Sequence, residues 1–185
     1  RNFKHQQFKA GQSILVTVEI AGVRHQRHYS IVKFLANGDI ILAVKQQGKA
    51  SNALTQLAYG GVVELSQSQG DFVLDTSTSP LLLIASGSGI TAIYSLLLDA
   101  LEHSNRSINV IYFNRDDAFH ADLEQLHQQY AQFNYHHINT TTQKQHLTKA
   151  LLDSLVPDFA QRQTYVCGAN TMMQTAQQIF QDLNI

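Results

Sequence analysis

The chain is predicted to fold as an antiparallel β-barrel over residues 1–78, followed by a doubly wound parallel α/β domain over residues 79–185. Three observations predict it. Residues 14–65 carry short β-branched runs separated by turn signals. The Thr/Ser/Pro stretch from Asp75 to Pro80 then reads as a linker. Beyond it, apolar runs alternate with segments of helical periodicity, the pattern of a parallel sheet with right-handed crossovers.

In the first part, Ile14 to Ile20 is a strand with Val16, Val18 and Ile20 on one face and Leu15, Thr17 and Glu19 on the other. Ala21-Gly22 turns the chain into a strand from His25 to Val32, and Asn37-Gly38-Asp39 makes a hairpin to Ile40–Val44. A short helix is expected from Ser51 to Ala58, with Ser51 as its N-cap, and a strand from Val62 to Leu65. In the second part, strands are expected at Leu81–Ala85, Asn109–Phe113, near Phe133–Ile138 and at Thr164–Cys167. Helices are expected at Thr91–Glu102, at Ala118–Tyr130 with Phe119, Leu123 and Leu126 on one side, and near His146–Leu155. A last helix lines up Met173, Ala176, Ile179 or Phe180, and Leu183.

Composition narrows the function classes. A chain of 185 residues, 44% hydrophobic and 15% charged, is of the globular kind. A net charge of -1 gives no electrostatic case for nucleic acid. No apolar run approaches the roughly 18 residues of a membrane span. One cysteine rules out an internal disulfide and a multi-cysteine metal site within the chain, and points to a reducing cytoplasm. The histidines fall at spacings that make no metal site, and neither Ser86 nor Ser88 has the flanks of a nucleophile elbow.

Five local patterns carry chemistry. Gly87-Ser88-Gly89-Ile90-Thr91-Ala92 follows a buried strand and opens a helix, the context of a dinucleotide fingerprint, where glycines admit a pyrophosphate to the helix N-terminus. An ordinary tight strand–helix turn is the competing reading. Asn114-Arg115 ends the next strand, where an acidic ribose ligand is common; the arginine suits a 2′-phosphate, although Asp116 and Asp117 follow it and a solvated loop arginine explains it as well. Arg27 and Tyr29 alternate along a strand and so share a face, with Ser30 opposite; spacing alone favours a surface arginine beside a packed tyrosine. Gly48-Lys49-Ala50-Ser51 precedes the short helix, as an anion loop or a plain helix cap. Cys167 ends a strand before Gly168, either as buried packing or at the strand end where ligands sit.

Taken in order, these motifs resemble the ferredoxin-NADP reductase superfamily across nearly the whole chain. Phe8-Lys9-Ala10-Gly11-Gln12 resembles F-x-P-G-Q, and Arg27-His28-Tyr29-Ser30 matches R-x-Y-S. Val44 to Leu54 resembles the flavin-phosphate loop, Gly70-Asp71-Phe72 the G-x-F turn, Gly87 to Ala92 the G-x-G-x-x-P turn, and Cys167-Gly168-Ala169 the C-G-P turn. The resemblance implies FAD and NADPH or NADH as cofactors, with no metal in this chain. It implies that Arg27 pairs with the flavin pyrophosphate, Tyr29 lies against the flavin, and Ser30 sits near its N5. His28, Val44 and the Gly48, Lys49, Ala50, Ser51 loop complete the flavin set, the loop giving backbone N–H groups. Gly87, Gly89, Ile90 and Thr91 would hold the nicotinamide dinucleotide. Cys167, with Gly168 and Ala169, would lie at the nicotinamide ring, and Asn114 and Arg115 at the adenosine end. Ser30 and Cys167 would be the catalytic residues.

The implied activity is hydride transfer from a nicotinamide to FAD, then single electrons to an iron–sulfur acceptor. The likeness is to reductases with an appended plant-type ferredoxin domain, so a ferredoxin-type domain or protein serving a desaturase or oxygenase is the expected partner. A flavin-free nicotinamide dehydrogenase and a non-catalytic binding module are the alternatives. Three family prolines are replaced, by Ala10, Ala92 and Ala169, so these loops are expected to be less preorganised. Strand sequence before Phe8 and a strand after the last helix are expected to be missing.

Overall fold

The computed structural model describes residues 8–184, and these fall into two compact units that divide between Leu74 and Asp75. The expectation about sequence before Phe8 lies outside the described residues.

The first unit is a curled antiparallel sheet, a half-barrel, with strand order β3-β2-β1-β4. Its strands are β1 (Ser13–Ile20), β2 (Val23–Phe34), β3 (Ile40–Leu42) and β4 (Glu64–Leu65), with helix α1 (Lys49–Thr55) between the last two. The β1–β2 turn has positive φ at both Ala21 (50°) and Gly22 (77°), the mirror-image turn whose twist suits a tight hairpin. It sets the register that pairs Ile14 with Tyr29 and Val16 with Arg27. A bulge between Ile31 and Lys33 bends β2 where it meets β3. Ile14, Val16 and Ile31 form the core, covered by Phe8, Tyr29, Leu54 and Leu65.

Here the expected boundaries shift for local reasons. Helix α1 begins at Lys49 with Gly48 as N-cap, and Ser51 lies one turn inside it. The Ser51 hydroxyl accepts from the Gln47 and Gly48 N–H groups (2.9 and 3.0 Å), the backward half of a capping box. The helix stops at Thr55, so Leu57 and Ala58 lie beyond it. Val62 is 88% exposed and outside β4.

The second unit is a parallel sheet of order β7-β6-β5-β8, from β5 (Leu81–Ser86), β6 (Ile108–Asn114), β7 (Phe133–Asn139) and β8 (Gln163–Cys167). Helices α2 (Ile90–His103), α3 (His120–Gln129), α4 (Lys149–Leu155) and α5 (Asn170–Asp182) cross between and after the strands. Leu81 to Ala85 are fully buried, as a central parallel strand requires. One core joins Leu82, Ile84, Ile111, Phe113, Leu152 and Ala176. Met172, not Met173, packs there with Ala176, Ile179 and Leu183. Phe119 precedes α3 instead of lying on its face: it is the N-cap at φ 63°, with its ring 5.1 Å from that of Tyr94. Helix α4 starts late because Thr148 caps it, accepting from the Leu151 N–H at 3.1 Å.

Candidate functional site

The strand order of the second unit locates its crevice. From β5 the chain moves to β6 and then β7 on one side, and returns to the other side with β8. The loops that leave β5 and β8 therefore diverge at the carboxyl ends of adjacent parallel strands, the topological switch point where open α/β sheets bind ligands. Those two loops contain Gly87, Gly89, Ile90 and Thr91 on one side and Cys167, Gly168 and Ala169 on the other.

The two loops interlock. A Cβ on Gly89 would overlap the Cys167 carbonyl and lie 2.6 Å from the Gly168 nitrogen. A Cβ on Gly168 would overlap the Ser86 hydroxyl and lie 2.8 Å from the Ser86 backbone nitrogen, and its φ of 155° already disfavours a side chain. The Ala169 N–H donates to Ser86 Oγ at 2.8 Å. Two of the glycines thus serve loop-on-loop packing. Gly87 differs: its φ of 52° favours glycine, and a Cβ there would meet nothing within 4 Å. Beside it, Thr91 donates to the Ser88 carbonyl at 3.0 Å, Ile90 is buried, and Ser88 is exposed. Ser88 lies in the first turn, where a backbone N–H has no intrahelical acceptor. Cys167 is half-buried, and burial pushes its thiol up, so it is a neutral thiol at pH 7.

At the end of β6 the buried Asn114 donates to the Asp116 carbonyl (2.9 Å) and to its carboxylate (2.6 Å), which also accepts from the Ala118 N–H at 3.2 Å. Asn114 and Asp116 thereby build the loop. Arg115 is exposed and has no partner among the described residues. Sequence reasoning missed Ser86, which pins the two loops, and Tyr112, whose hydroxyl lies 3.4 Å from the Gly87 carbonyl. A serine just before the first glycine is the signal that was there to find.

In the first unit, Arg27 and Tyr29 lie opposite the buried Val16 and Ile14 and share their face of the sheet. Tyr29 packs on the core while Arg27 is exposed. Burial raises the Tyr29 phenol, and the adjacent Arg27 guanidinium offsets part of that rise. Ser30, half-buried, and His28 lie on the other face, His28 with Nδ1 3.5 Å from Gln69 Nε2. Val44 lies in the segment after β3, and Lys49 is exposed at the start of α1 with Ala50 buried beneath it. Helix α1 packs on β1 and β2 through Leu54, so the Gly48 loop and the Arg27–Tyr29 strand rest on one core. Gly48 is informative. Its φ of -176° is open to any residue, and a Cβ there would meet nothing within 4 Å. Neither backbone nor packing demands glycine there, and the space around its Cα is open.

Residues 2–74 match the family model of the oxidoreductase FAD-binding domain, and residues 83–178 match that of the oxidoreductase NAD-binding domain. The chain belongs to the ferredoxin-NADP reductase family. It is 35% identical over 114 residues to a flavohemoprotein of Pseudomonas putida, covering 60% of this chain and 29% of that one. It is 32% identical over 143 residues to the ferredoxin reductase component of a 3-ketosteroid-9-alpha-monooxygenase of Mycobacterium tuberculosis, covering 75% of this chain and 40% of that one. The FAD/NAD-binding domain of nitric oxide dioxygenase from Vibrio cholerae shares the fold, with a TM-score of 0.82 at 20% identity over 97% of this chain and 82% of that one. The chain thus spans well under half the length of these two curated relatives. Among the described residues no helix is long and apolar enough to cross a membrane, and no three His, Cys, Asp or Glu side chains group so as to hold a metal ion.

The residues present fit the two cofactors these family models bind. In the first unit an exposed arginine and a half-buried tyrosine share a face, and Gly48 is an open cradle. In the second, Gly87 is open at the sheet's switch point.

Proposed function

We propose that this chain is the FAD- and nicotinamide-binding reductase module of an electron-transfer system, with an iron–sulfur protein or domain as its acceptor. The observation that carries the proposal is the open Gly87 turn at the β5/β8 switch point, in a chain whose other unit presents Arg27 and Tyr29 on one face. FAD, when bound, supplies the chemistry of accepting a hydride from a nicotinamide and releasing electrons one at a time. The protein's share is to bind and orient. Arg27 pairs with the flavin pyrophosphate as a charge-assisted donor, Tyr29 packs against the flavin, and Ser30 stands near its reacting edge. The Gly48–Ser51 loop gives backbone N–H groups to the pyrophosphate; those of Gln47 and Gly48 already serve Ser51, so Lys49 and Ala50 are the donors in this chain. Gly87, Ile90 and Thr91 hold the dinucleotide phosphates, and Gly89 and Gly168 keep the loops together. Cys167 faces the nicotinamide as a neutral thiol. Arg115, exposed beside an Asp116 that is already engaged, is the residue for a 2′-phosphate.

The named role of the M. tuberculosis relative, a ferredoxin reductase component of a monooxygenase, supports the choice of acceptor. The flavohemoprotein relative supports haem as the second choice. The single cysteine fits a reducing cytoplasm. The test is flavin retention and spectrum. Arg27→Ala should raise the FAD dissociation constant about tenfold or more, the worth of a hydrogen bond to a charged group. Tyr29→Ala should shift the bound flavin's absorbance. Full retention in the first variant together with an unchanged spectrum in the second would remove the assignment.

A further inference from the structure

Tyr112 is 1% exposed on β6, and a buried phenol needs a partner for its hydroxyl. The hydroxyl finds it across the sheet, donating to the Gly87 carbonyl at 3.4 Å. It therefore links β6 to the glycine turn after β5. The phenol is held protonated far above neutral pH by burial and by the nearby Asp116 carboxylate, so it is always available as a donor.

The bridge has a directional consequence. In a trans peptide the C=O and N–H point in opposite directions. Drawing the Gly87 carbonyl toward β6 turns the Ser88 N–H of that same peptide away from the sheet. A Cβ on Gly87 would meet nothing within 4 Å, so the turn borders open space. The Gly87 carbonyl accepts from the Ile90 N–H inside the short turn, and the Tyr112 hydroxyl is its second donor.

We propose that Tyr112 is a positioning residue for nucleotide binding, its hydroxyl fixing the Gly87–Ser88 peptide so that the Ser88 N–H meets the dinucleotide phosphate. The separation of 3.4 Å is long for an O–H···O bond. An anion on the Ser88 N–H polarises the same peptide and makes the Gly87 carbonyl a better acceptor, so the bond tightens as the ligand binds.

The inference rests on the nicotinamide-binding reading of the second unit, and one experiment separates the two. NADP+ and NAD+ are titrated calorimetrically into the FAD-loaded wild-type chain and Tyr112→Phe, with the melting temperature of each recorded. The expected result is a dissociation constant raised about two- to tenfold in Tyr112→Phe, the worth of one neutral hydrogen bond, larger than any change in the limiting rate of flavin reduction. Unchanged affinity in Tyr112→Phe, or a lowered melting temperature alone, would overturn the positioning role. Failure of the wild type to bind either nucleotide would overturn the reading of the unit and the Tyr112 role with it.

Discussion

The Gly48 loop of the first unit and the Gly87–Gly89 turn of the second have similar sequences, glycine and serine ahead of a helix, but they are held by different forces. The second is locked from outside. Gly89 and Gly168 let two loops interpenetrate, and Ser86 pins them with a hydrogen bond to the Ala169 N–H. The first is held from within, by the Ser51 hydroxyl, which accepts from the Gln47 and Gly48 N–H groups, and by Gln46, which donates to Thr55 Oγ1. A glycine can therefore be present for the fold or for a ligand. Backbone angle and the space around a hypothetical Cβ tell the two apart. Gly89 is closed by the Cys167–Gly168 backbone, whereas Gly48 is closed by nothing within 4 Å.

Two substitutions probe that contrast and a third probes the second unit's core, the largest effect first. Gly89→Ala drives a methyl group into the Cys167 backbone, which cannot rotate away as a side chain can. It should destabilise the second unit by about 3 kcal/mol or more, a fall in melting temperature of about 10 °C or more, and abolish nucleotide binding. A well-folded Gly89→Ala variant would mean that the two loops do not interlock. Gly48→Ala should leave the melting temperature within about 2 °C, as for a surface change of under about 0.5 kcal/mol, yet weaken FAD binding several-fold. If affinity is unchanged, Gly48 is a plain cap and the comparison loses its meaning.

The third probes pH. His137 and His136 lie on β7, and burial pushes both below the usual histidine value; His120 adds to the effect at His137, opposed by Asp117 and Glu124. The His137 and His120 rings stack 4.4 Å apart, and His137 Nε2 is buried without a hydrogen-bond partner among the described residues. The folded state therefore takes up a proton less readily than the unfolded chain. Stability of the second unit is full above about pH 6.5, the unfolded histidine value, and falls as pH drops below it. Thermal melts between pH 8 and 5 should show that slope, and His137→Phe should flatten it. A slope of the opposite sign would contradict the buried, neutral histidine.

Much of this was legible in the sequence because the signals were local. Leu81 to Ala85 could only be a buried strand, and Asn37-Gly38 could only turn. The order of motifs from Arg27 to Gly168 carried the family. What stayed hidden depends on contacts between distant residues. That Gly89 meets Cys167 across 78 positions needs β8 beside β5, which only the sheet order supplies. The part played by Tyr112 needs Gly87 brought to its hydroxyl across the sheet. Sequence alone puts the cap at Ser51, one turn late, because a serine at N3 and a serine at the N-cap both stand at the start of helical sequence. Phe119 was counted onto α3 because its spacing fits, while its left-handed backbone, which a phenylalanine rarely adopts, follows from packing on Tyr94.

The account stands on both units serving one cofactor chain, and one measurement reaches that directly: anaerobic mixing of the FAD-loaded chain with NADH and, separately, with NADPH, following loss of the oxidised flavin absorbance. The account predicts rapid bleaching with at least one nucleotide, and a preference for NADPH that Arg115→Ala reduces. A flavin that binds and stays oxidised with both nucleotides would contradict the reductase reading; equal rates with both in the wild type would contradict the role given to Arg115.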